Sequence, residues 1–208
     1  MSLRLFFVIL IIIGAWQWWN RPGPVEVDMA PAGELPYSFA RNLSVEKPPI
    51  QKKLDNPPGL NAGEFKLRPM AEFQIEARVL GRKPYSWGTE AQLSPLDLAL
   101  GWGPMAQPEV LEKINIKQSG RFYRWSVDEF PVPRRDIEHN SANMHMIPAN
   151  DQIRRTLQEV RENQIVRLRG YLVNVDNASG WRWRTSTTRT DTGSGACEII
   201  LVQLVETI

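Results

Sequence analysis

An unbroken apolar run near the amino terminus is the feature that most constrains this chain. It extends from Leu5 to Trp16, and it reaches Trp19 with Gln17 as the one polar interruption. As a helix, these roughly 15 residues span about 22 Å, which is shorter than a hydrocarbon core of roughly 30 Å and also suits a signal-peptide core. The run ends in tryptophans, which are typical of the membrane interface, rather than in the small residues that a signal peptidase requires. We therefore predict that residues 1–19 are an uncleaved transmembrane anchor; a cleaved signal and a buried helix are the alternatives.

Positively charged residues flank the apolar run on both sides, with Arg4 before it and Arg21 after it. Because basic residues are enriched on the cytoplasmic side of a membrane, this distribution gives little orientation. The very short leading segment favours an amino terminus in the cytoplasm. We therefore expect a single-pass protein of the bacterial inner membrane, with its carboxy-terminal domain in the periplasm.

Proline sets the next segment apart from the rest of the chain. Residues 20–58 hold eight of the chain's 16 prolines, and apolar residues are sparse there. Proline fixes φ and lacks an amide donor, so this segment is neither a continuous helix nor a central strand. We predict a semi-extended tether over residues 20–69. The alternative is that Tyr37, Phe39 and Leu43 dock on the folded domain or on a partner.

Composition bounds what the remaining residues do. The 25 Lys and Arg nearly cancel the 23 Asp and Glu, and a net charge of +2 argues against a dedicated nucleic-acid binder. The single cysteine, Cys197, excludes an intrachain disulfide and a cysteine-based zinc site. The domain that we predict over residues 70–208 is therefore held together by its core.

Alternating apolar residues predict a β-rich α+β domain. Phe73 to Val79 alternates with polar residues, Ile165 to Val175 is a long strand in which Gly170 marks a bulge, and Ala196 to Val205 is a final apolar strand. A helix is predicted over 151–162 with Asn150 as its cap, and a short one begins at Ser94 and ends near Gly101. We expect a small β-barrel or a curved antiparallel sheet with two short helices, and an OB-like barrel is one form of it.

Both histidines of the chain lie in one segment. His139 and His145 are six residues apart, with Asp136 and Glu138 close by. Imidazole and carboxylate groups are ligands for divalent metals, so His139, His145 and Asp136 are candidate metal ligands, and the two histidines are candidate catalytic residues. The spacing matches no established metal motif, and the alternative is a loop held by side-chain hydrogen bonds.

A glycine-rich segment supplies the remaining catalytic candidates. The string from Asp191 to Ser194 resembles the aspartic-protease signature, but no second copy supplies the partner aspartate, and the alternative is a hairpin before the last strand. Glu198 begins that strand, and its carboxylate needs a partner such as Arg182, Arg184 or Arg189 if it is buried. Cys197 is either a nucleophile paired with a histidine or a small buried thiol.

Aromatic and basic residues alternate before that segment and predict a ligand surface. Arg182 and Arg184 beside Trp183 are typical of surfaces that grip polymers, so we expect an anionic polymer or an envelope protein as partner. Trp102, in a Gly-Trp-Gly-Pro turn, is a further candidate contact. The alternative is that the tryptophans face the core and the arginines face solvent.

The layout as a whole, an anchor and a spacer before a domain with the strings LGWGPM, NMHMIPA and DTGSGACE, resembles uncharacterised single-pass bacterial envelope proteins. This resemblance covers residues 70–208 and implies an envelope setting but no catalytic residue. The sequence favours a membrane-tethered binding or scaffold module. The alternative is a hydrolase or metal-dependent enzyme that uses His139 and His145.

Overall fold

A computed structural model describes residues 3–19, 25–30, 38–188, 191, 193 and 195–208. Five short α-helices are described: α1 Leu3–Trp19, α2 Thr89–Leu93, α3 Pro108–Leu111, α4 Arg134–His139 and α5 Asp151–Glu159. A 3₁₀ turn over Gly103–Ala106 precedes α3. Within the described residues, none of these helices has the length and apolar character needed to cross a membrane.

The described residues form ten strands. They are β1 Ile50–Lys53, β2 Leu60–Ala62, β3 Phe65–Pro84, β4 Leu96–Gly101, β5 Asn115–Ser119, β6 Phe122–Ser126, β7 Ser141–Pro148, β8 Ile165–Asn177, β9 Arg182–Trp183 and β10 Glu198–Thr207. The prediction of a β-rich, sheet-dominated fold with few short helices is confirmed.

The long strand β3 organises the main sheet. It pairs with β8 over residues 65–78 and with β4 over residues 78–84, both antiparallel. β4 then pairs with β7, β7 pairs with β10 in parallel, and β10 pairs with β8. The path of paired strands therefore starts at β3 and returns to it, and the sheet curves around one face.

Alternation along β3 builds the core, as the sequence predicts. Phe73, Ile75, Ala77 and Val79 are completely buried, and they pack against leucines and methionines of β4 and β7. Helix α5 covers this core with Ile153 and Leu157. Its predicted cap is confirmed, because the side chain of Asn150 accepts a hydrogen bond from the amide of Ile153.

The helix predicted from Ser94 to Gly101 is wrong. α2 ends at Leu93, and the segment that follows it is strand β4, Leu96–Gly101. Ser-Pro-x-Asp suits a helix start, but Leu96, Leu98 and Leu100 alternate and all three are buried in the core. Burial of that alternating face against β3 and β7 overrides the local signal.

Part of the segment predicted as a tether is folded. β1 pairs with residues 71–74 of β3, and β2 pairs with residues 65–67. Upstream, the amide of Val45 donates a hydrogen bond to the side chain of Glu76. Leu43 is only 9% exposed, so this residue docks on the folded domain, as the alternative to a tether expects. The folded region therefore starts before residue 70; Tyr37 lies outside the described residues.

Gly170 lies where β8 passes closest to β10, and the sequence singles it out as a bulge. A Cβ on Gly170 would lie 1.8 Å from the carbonyl oxygen of Leu201. Gly170 pairs with Val202, and the register shifts between Val202 and Leu204 directly beside it. The irregularity is therefore on the partner strand, and the glycine lets the two backbones approach.

A β-hairpin is inserted between β4 and β7 and lies outside the main sheet. It consists of β5 and β6, joined by Gly120 and Arg121, both with left-handed φ. Its Ile116 and Trp125 pack with Ile137 of α4 over a small apolar cluster. This hairpin forms one wall of the candidate site.

Candidate functional site

Two titratable side chains meet on the outer face of the sheet. Asp97 of β4 is paired with His145 of β7, and their neighbours Leu96, Leu98 and Met144 point into the core. Nδ1 of His145 lies 2.9 Å from Oδ1 of Asp97, although the two atoms are poorly aligned for a hydrogen bond. Both side chains are buried, at 3% and 0% exposure, so other elements must cover them.

Arg121, in the turn of the hairpin, places its positive charge next to Asp97. An Nη1 atom of Arg121 lies 2.7 Å from Oδ1 of Asp97, and the guanidinium stacks 3.7 Å above the ring of Tyr85. The hydroxyl of Tyr85 accepts a hydrogen bond from the amide of Arg121. Trp183 covers the other side, with its ring 4.6 Å from that of His145.

Asn143 connects this cluster to the hairpin. Its Nδ2 donates to the carbonyl oxygen of Arg121, at 3.0 Å, and its Oδ1 accepts from Gln118 at 2.8 Å. The hairpin is thus fixed to the outer face of the sheet by an ion pair with Asp97 of β4 and by hydrogen bonds with Asn143 of β7. This cluster positions the hairpin beside a cavity.

The cavity has a volume of about 780 Å³ and lies between the hairpin and the segment before β10. All five residues of β6 and Ser141, Ala142 and Asn143 of β7 line it. The described residues before and at the start of β10 line it as well: Thr188, Asp191, Gly193, Ala196, Cys197 and Glu198. Aromatic and charged side chains share the lining: Trp102, Phe122, Tyr123, Trp125, Phe130, Arg124, Arg134, Glu138, Asp191 and Glu198.

The phenol of Tyr123 and the thiol of Cys197, which both line the cavity, are protonated at neutral pH. Burial raises the pKa of the Cys197 thiol to about 12, and the charges of Glu198 and Asp97 add to the effect. Burial likewise raises the pKa of Tyr123 to about 12, although a hydrogen bond with Ser141 opposes it. The cavity therefore presents a neutral thiol and a neutral phenol instead of anionic nucleophiles.

The predicted metal ligands lie on two elements. Asp136 and His139 belong to α4, whereas His145 lies in β7 and faces Asp97. In the part of the chain that the structure describes, no group of three or more His, Cys, Asp or Glu side chains is arranged to hold a metal ion. The divalent-metal assignment stays a prediction.

Other predicted residues gather around the cavity. Trp102, Asp191 and Glu198 line it, and the carboxylate of Asp191 accepts a hydrogen bond from Ser186. Trp102 is 1% exposed, and its indole Nε1 has no hydrogen-bond partner among the described residues. Thr192 and Ser194 of the protease-like string, and Arg189, lie outside the described residues.

The two candidate arginines interact with Asp176 instead of lining the cavity. Arg184 hydrogen-bonds the carboxylate of Asp176, and Nε of Arg182 lies 3.8 Å from it. The hydrogen bond from Arg184 lowers the pKa of Asp176. Trp183 is half-buried, while Arg182 and Arg184 are exposed. This is the alternative in which the tryptophans face the core and the arginines face solvent.

Sequence reasoning missed Asp97, Arg121 and Tyr123. Asp97 is the single charged residue in an apolar strand, and this was a usable signal, because a buried carboxylate needs a partner. Arg121 follows Gly120 between two alternating segments, which marks a hairpin turn but names no partner for the guanidinium. Comparison with known proteins adds no relative, because no family model, no curated protein and no solved structure matches the chain.

Proposed function

We propose that this protein is a membrane-anchored binding or scaffold module of the bacterial envelope, and that its ligand site is the cavity beside β6. The observation that carries this proposal is the cavity itself. Its volume of about 780 Å³ is within the range of roughly 300–1,000 Å³ typical of ligand sites. Aromatic residues for apolar contact and a few charged groups for orientation both line it.

We further propose that the domain is an OB-type barrel. The ring of pairings from β3 through β4, β7, β10 and β8 supports this, as does the parallel pairing of β7 with β10. Helix α5, which lies between β7 and β8, supports it as well. Barrels of this type bind extended ligands across the face of their second and third strands. Those strands would be β4 and β7, and β7 contributes three residues to the cavity lining.

The anchor and the periplasmic location rest on the sequence. The apolar run that ends in Trp16, Trp18 and Trp19 supports insertion at a membrane interface. Residues 25–30 already contact the domain, because Val27 is buried in its core and Asp28 bridges Asn61 of β2, so the proposed spacer to the membrane is short. A scaffold held close to the membrane surface is consistent with this short spacing.

The chemistry of the cavity supports binding over catalysis. Nucleophilic catalysis needs an activated nucleophile, and the raised pKa of Cys197 opposes activation. His145 does not line the cavity; it lies beneath Trp183 and next to an Asp97 that Arg121 already neutralises. No observation on the described residues favours the hydrolase alternative.

A co-purification experiment tests the proposal. The full chain is solubilised in mild detergent and compared with residues 1–49 alone and with an Ala196→Trp variant, in which an indole replaces a small residue of the cavity lining. We expect a specific partner with the full chain that is lost with both controls. Equal recovery by the cavity-filled variant, with its thermal stability unchanged, would overturn the proposal.

A further inference from the structure

One edge of the inserted hairpin is open along the cavity. β5 and β6 form a sheet of two strands, and β6 has no further strand partner among the described residues. Five consecutive residues of β6, Phe122–Ser126, line the cavity, although alternate side chains point to opposite faces. A strand lines a cavity in this way when its edge, and not one of its faces, borders the space.

The register of the hairpin shows which backbone groups face the cavity. In a hairpin with a two-residue turn, the pair that flanks the turn is hydrogen-bonded, and such pairs alternate along the ladder. Ser119–Phe122 flanks the turn, so Phe122 and Arg124 bond to β5. Tyr123 and Trp125 therefore direct their N–H and C=O groups away from β5. Among the hydrogen bonds of the described residues, none occupies these four groups.

A row of open backbone groups is complementary to another extended backbone. β6 is five residues long, about 17 Å at roughly 3.3 Å per residue, which is enough for a short added strand. Phe122 and Phe130 at the cavity are 39% and 50% exposed, and Phe130 contacts the ring of Trp125 edge-on. These rings supply apolar contacts for the side chains of such a strand.

The charge of the cavity lining determines which class of polymer this strand edge can bind. The acidic wall of the cavity carries Asp191 and Glu198, and both carboxylates lie close enough to Cys197 to raise its pKa. The described lining holds two arginines, Arg124 and Arg134, against three acidic residues, and since Arg134 is paired with Glu138 at 2.8 Å, the rest of the lining carries more negative than positive charge. An anionic polymer would face this acidic wall, whereas basic side chains complement it.

We propose that β6 is the docking edge for an extended, basic polypeptide segment of a partner protein, which adds to the hairpin as a third strand inside the cavity. This inference rests on the proposed function and names the partner class for that same site. Backbone hydrogen bonds to Tyr123 and Trp125 provide affinity, and the acidic wall with the phenylalanines provides selectivity.

Amide hydrogen exchange tests the strand addition directly. The probe is an acetylated nonapeptide of alternating valine and lysine, added to the full chain in detergent. Two matched peptides are controls: one carries glutamate for lysine, and the other carries proline at two central positions. We expect the lysine peptide to bind at least about tenfold more tightly than either control, since like charges and missing donors oppose strand addition.

The pattern of protection identifies the docking edge. The amides of Tyr123 and Trp125 exchange rapidly in the free protein and become protected with the lysine peptide. Those of Phe122 and Arg124, which already bond to β5, do not change. If the peptide binds without protecting the amides of Tyr123 and Trp125 from exchange, strand addition is overturned, while the proposal that the protein is a binding module is not affected. Failure of the lysine peptide to bind would overturn the inference, while the co-purification above tests the proposed function separately.

Two further outcomes complete the test. Protection that rises with protein concentration, without peptide, would mean that a second copy occupies the edge, and it would overturn the proposal of a separate partner. An Asp191→Asn variant weakens the lysine peptide by up to about fivefold, as expected for one exposed charge pair. Asp128→Asn, an exposed aspartate that does not line the cavity, leaves the affinity unchanged.

Discussion

The guanidinium of Arg121 lies 2.7 Å from the carboxylate of Asp97, and this ion pair fixes the tip of the hairpin to the outer face of the sheet. The Asp97 side chain is completely buried, and that of Arg121 is 17% exposed. The guanidinium of Arg121 also stacks on Tyr85, and its backbone carbonyl accepts a hydrogen bond from Asn143, so this one residue connects the loop after β3, the hairpin and β7. The geometry of the cavity wall therefore depends on this pair.

Removing the guanidinium destabilises the protein strongly. Arg121→Ala leaves a buried carboxylate whose polar neighbours are His145 and a long hydrogen bond from Asn143, and we expect it to lower the free energy of unfolding by about 3 kcal/mol. The matched control is Arg134→Ala, which breaks an ion pair whose arginine is 70% exposed and costs less than about 1 kcal/mol. Urea unfolding monitored by tryptophan fluorescence measures both. Equal losses for the two variants would contradict the assigned role of Arg121.

A methyl group at Gly170 disrupts the sheet. Gly170→Ala places a Cβ 1.8 Å from the Leu201 carbonyl oxygen, so β8 and β10 must separate. We expect a loss of about 3 kcal/mol or a failure to fold, because two strand backbones have to move. Gly59→Ala is the control, since its Cβ meets only an ordinary contact at 3.8 Å. Thermal unfolding measures the stability of both variants. An unfolding midpoint for Gly170→Ala equal to that of the wild type would contradict the close approach of the two backbones.

We expect the Cys197 thiol to react slowly with alkylating reagents and to make the free energy of unfolding depend on pH in the alkaline range. Burial raises its pKa from 9.0 to about 12, so at pH 8 iodoacetamide should alkylate the folded chain about 1,000-fold more slowly than the urea-unfolded chain. A pKa raised by folding adds stability below pH 9 that is lost as the pH rises toward 12.

Comparison with Cys197→Ser isolates this contribution. The free energy of unfolding of the wild type should fall relative to that of Cys197→Ser from pH 9 upward. Alkylation at similar rates in the folded and unfolded chains, or a stability difference that does not change with pH, would show that the thiol is accessible and ionises normally.

The proposed membrane anchor predicts that the chain stays in the membrane fraction. We expect the full chain to stay with bacterial membranes during alkaline carbonate extraction, and a variant without residues 1–19 to be released. Amino-terminal sequencing of the mature protein supplies the control. A mature chain that starts after Trp19 would replace the anchor with a cleaved signal.

Local patterns predicted the elements that a local signal determines. Alternation located the core face of β3 from Phe73 to Val79, and Asn150 predicted the start of α5. Gly170 was predicted to mark a bulge, and the irregularity lies directly opposite it on β10. These succeed because periodicity and capping depend on residues a few positions apart.

The remaining features depend on contacts between distant segments. Burial between β3 and β7 makes a strand of Leu96–Gly101 despite its helix-like start. Asp97 and Arg121 are 24 positions apart, and nothing local in the sequence pairs them. The cavity likewise requires the hairpin to lie beside the segment before β10, so the sequence predicted its lining only in Trp102, Asp191, Cys197 and Glu198.

Site-specific photocrosslinking in living bacteria tests the binding site most directly. Benzoylphenylalanine replaces Phe122 or Phe130 at the cavity, or Lys52 on the exposed strand β1 as the control. We predict a crosslinked partner from positions 122 and 130 and none from position 52, and peptide mapping of the adduct should locate a basic, extended segment. Equal adducts from all three positions, or none from the two cavity positions, would contradict the assignment of this cavity as the binding site.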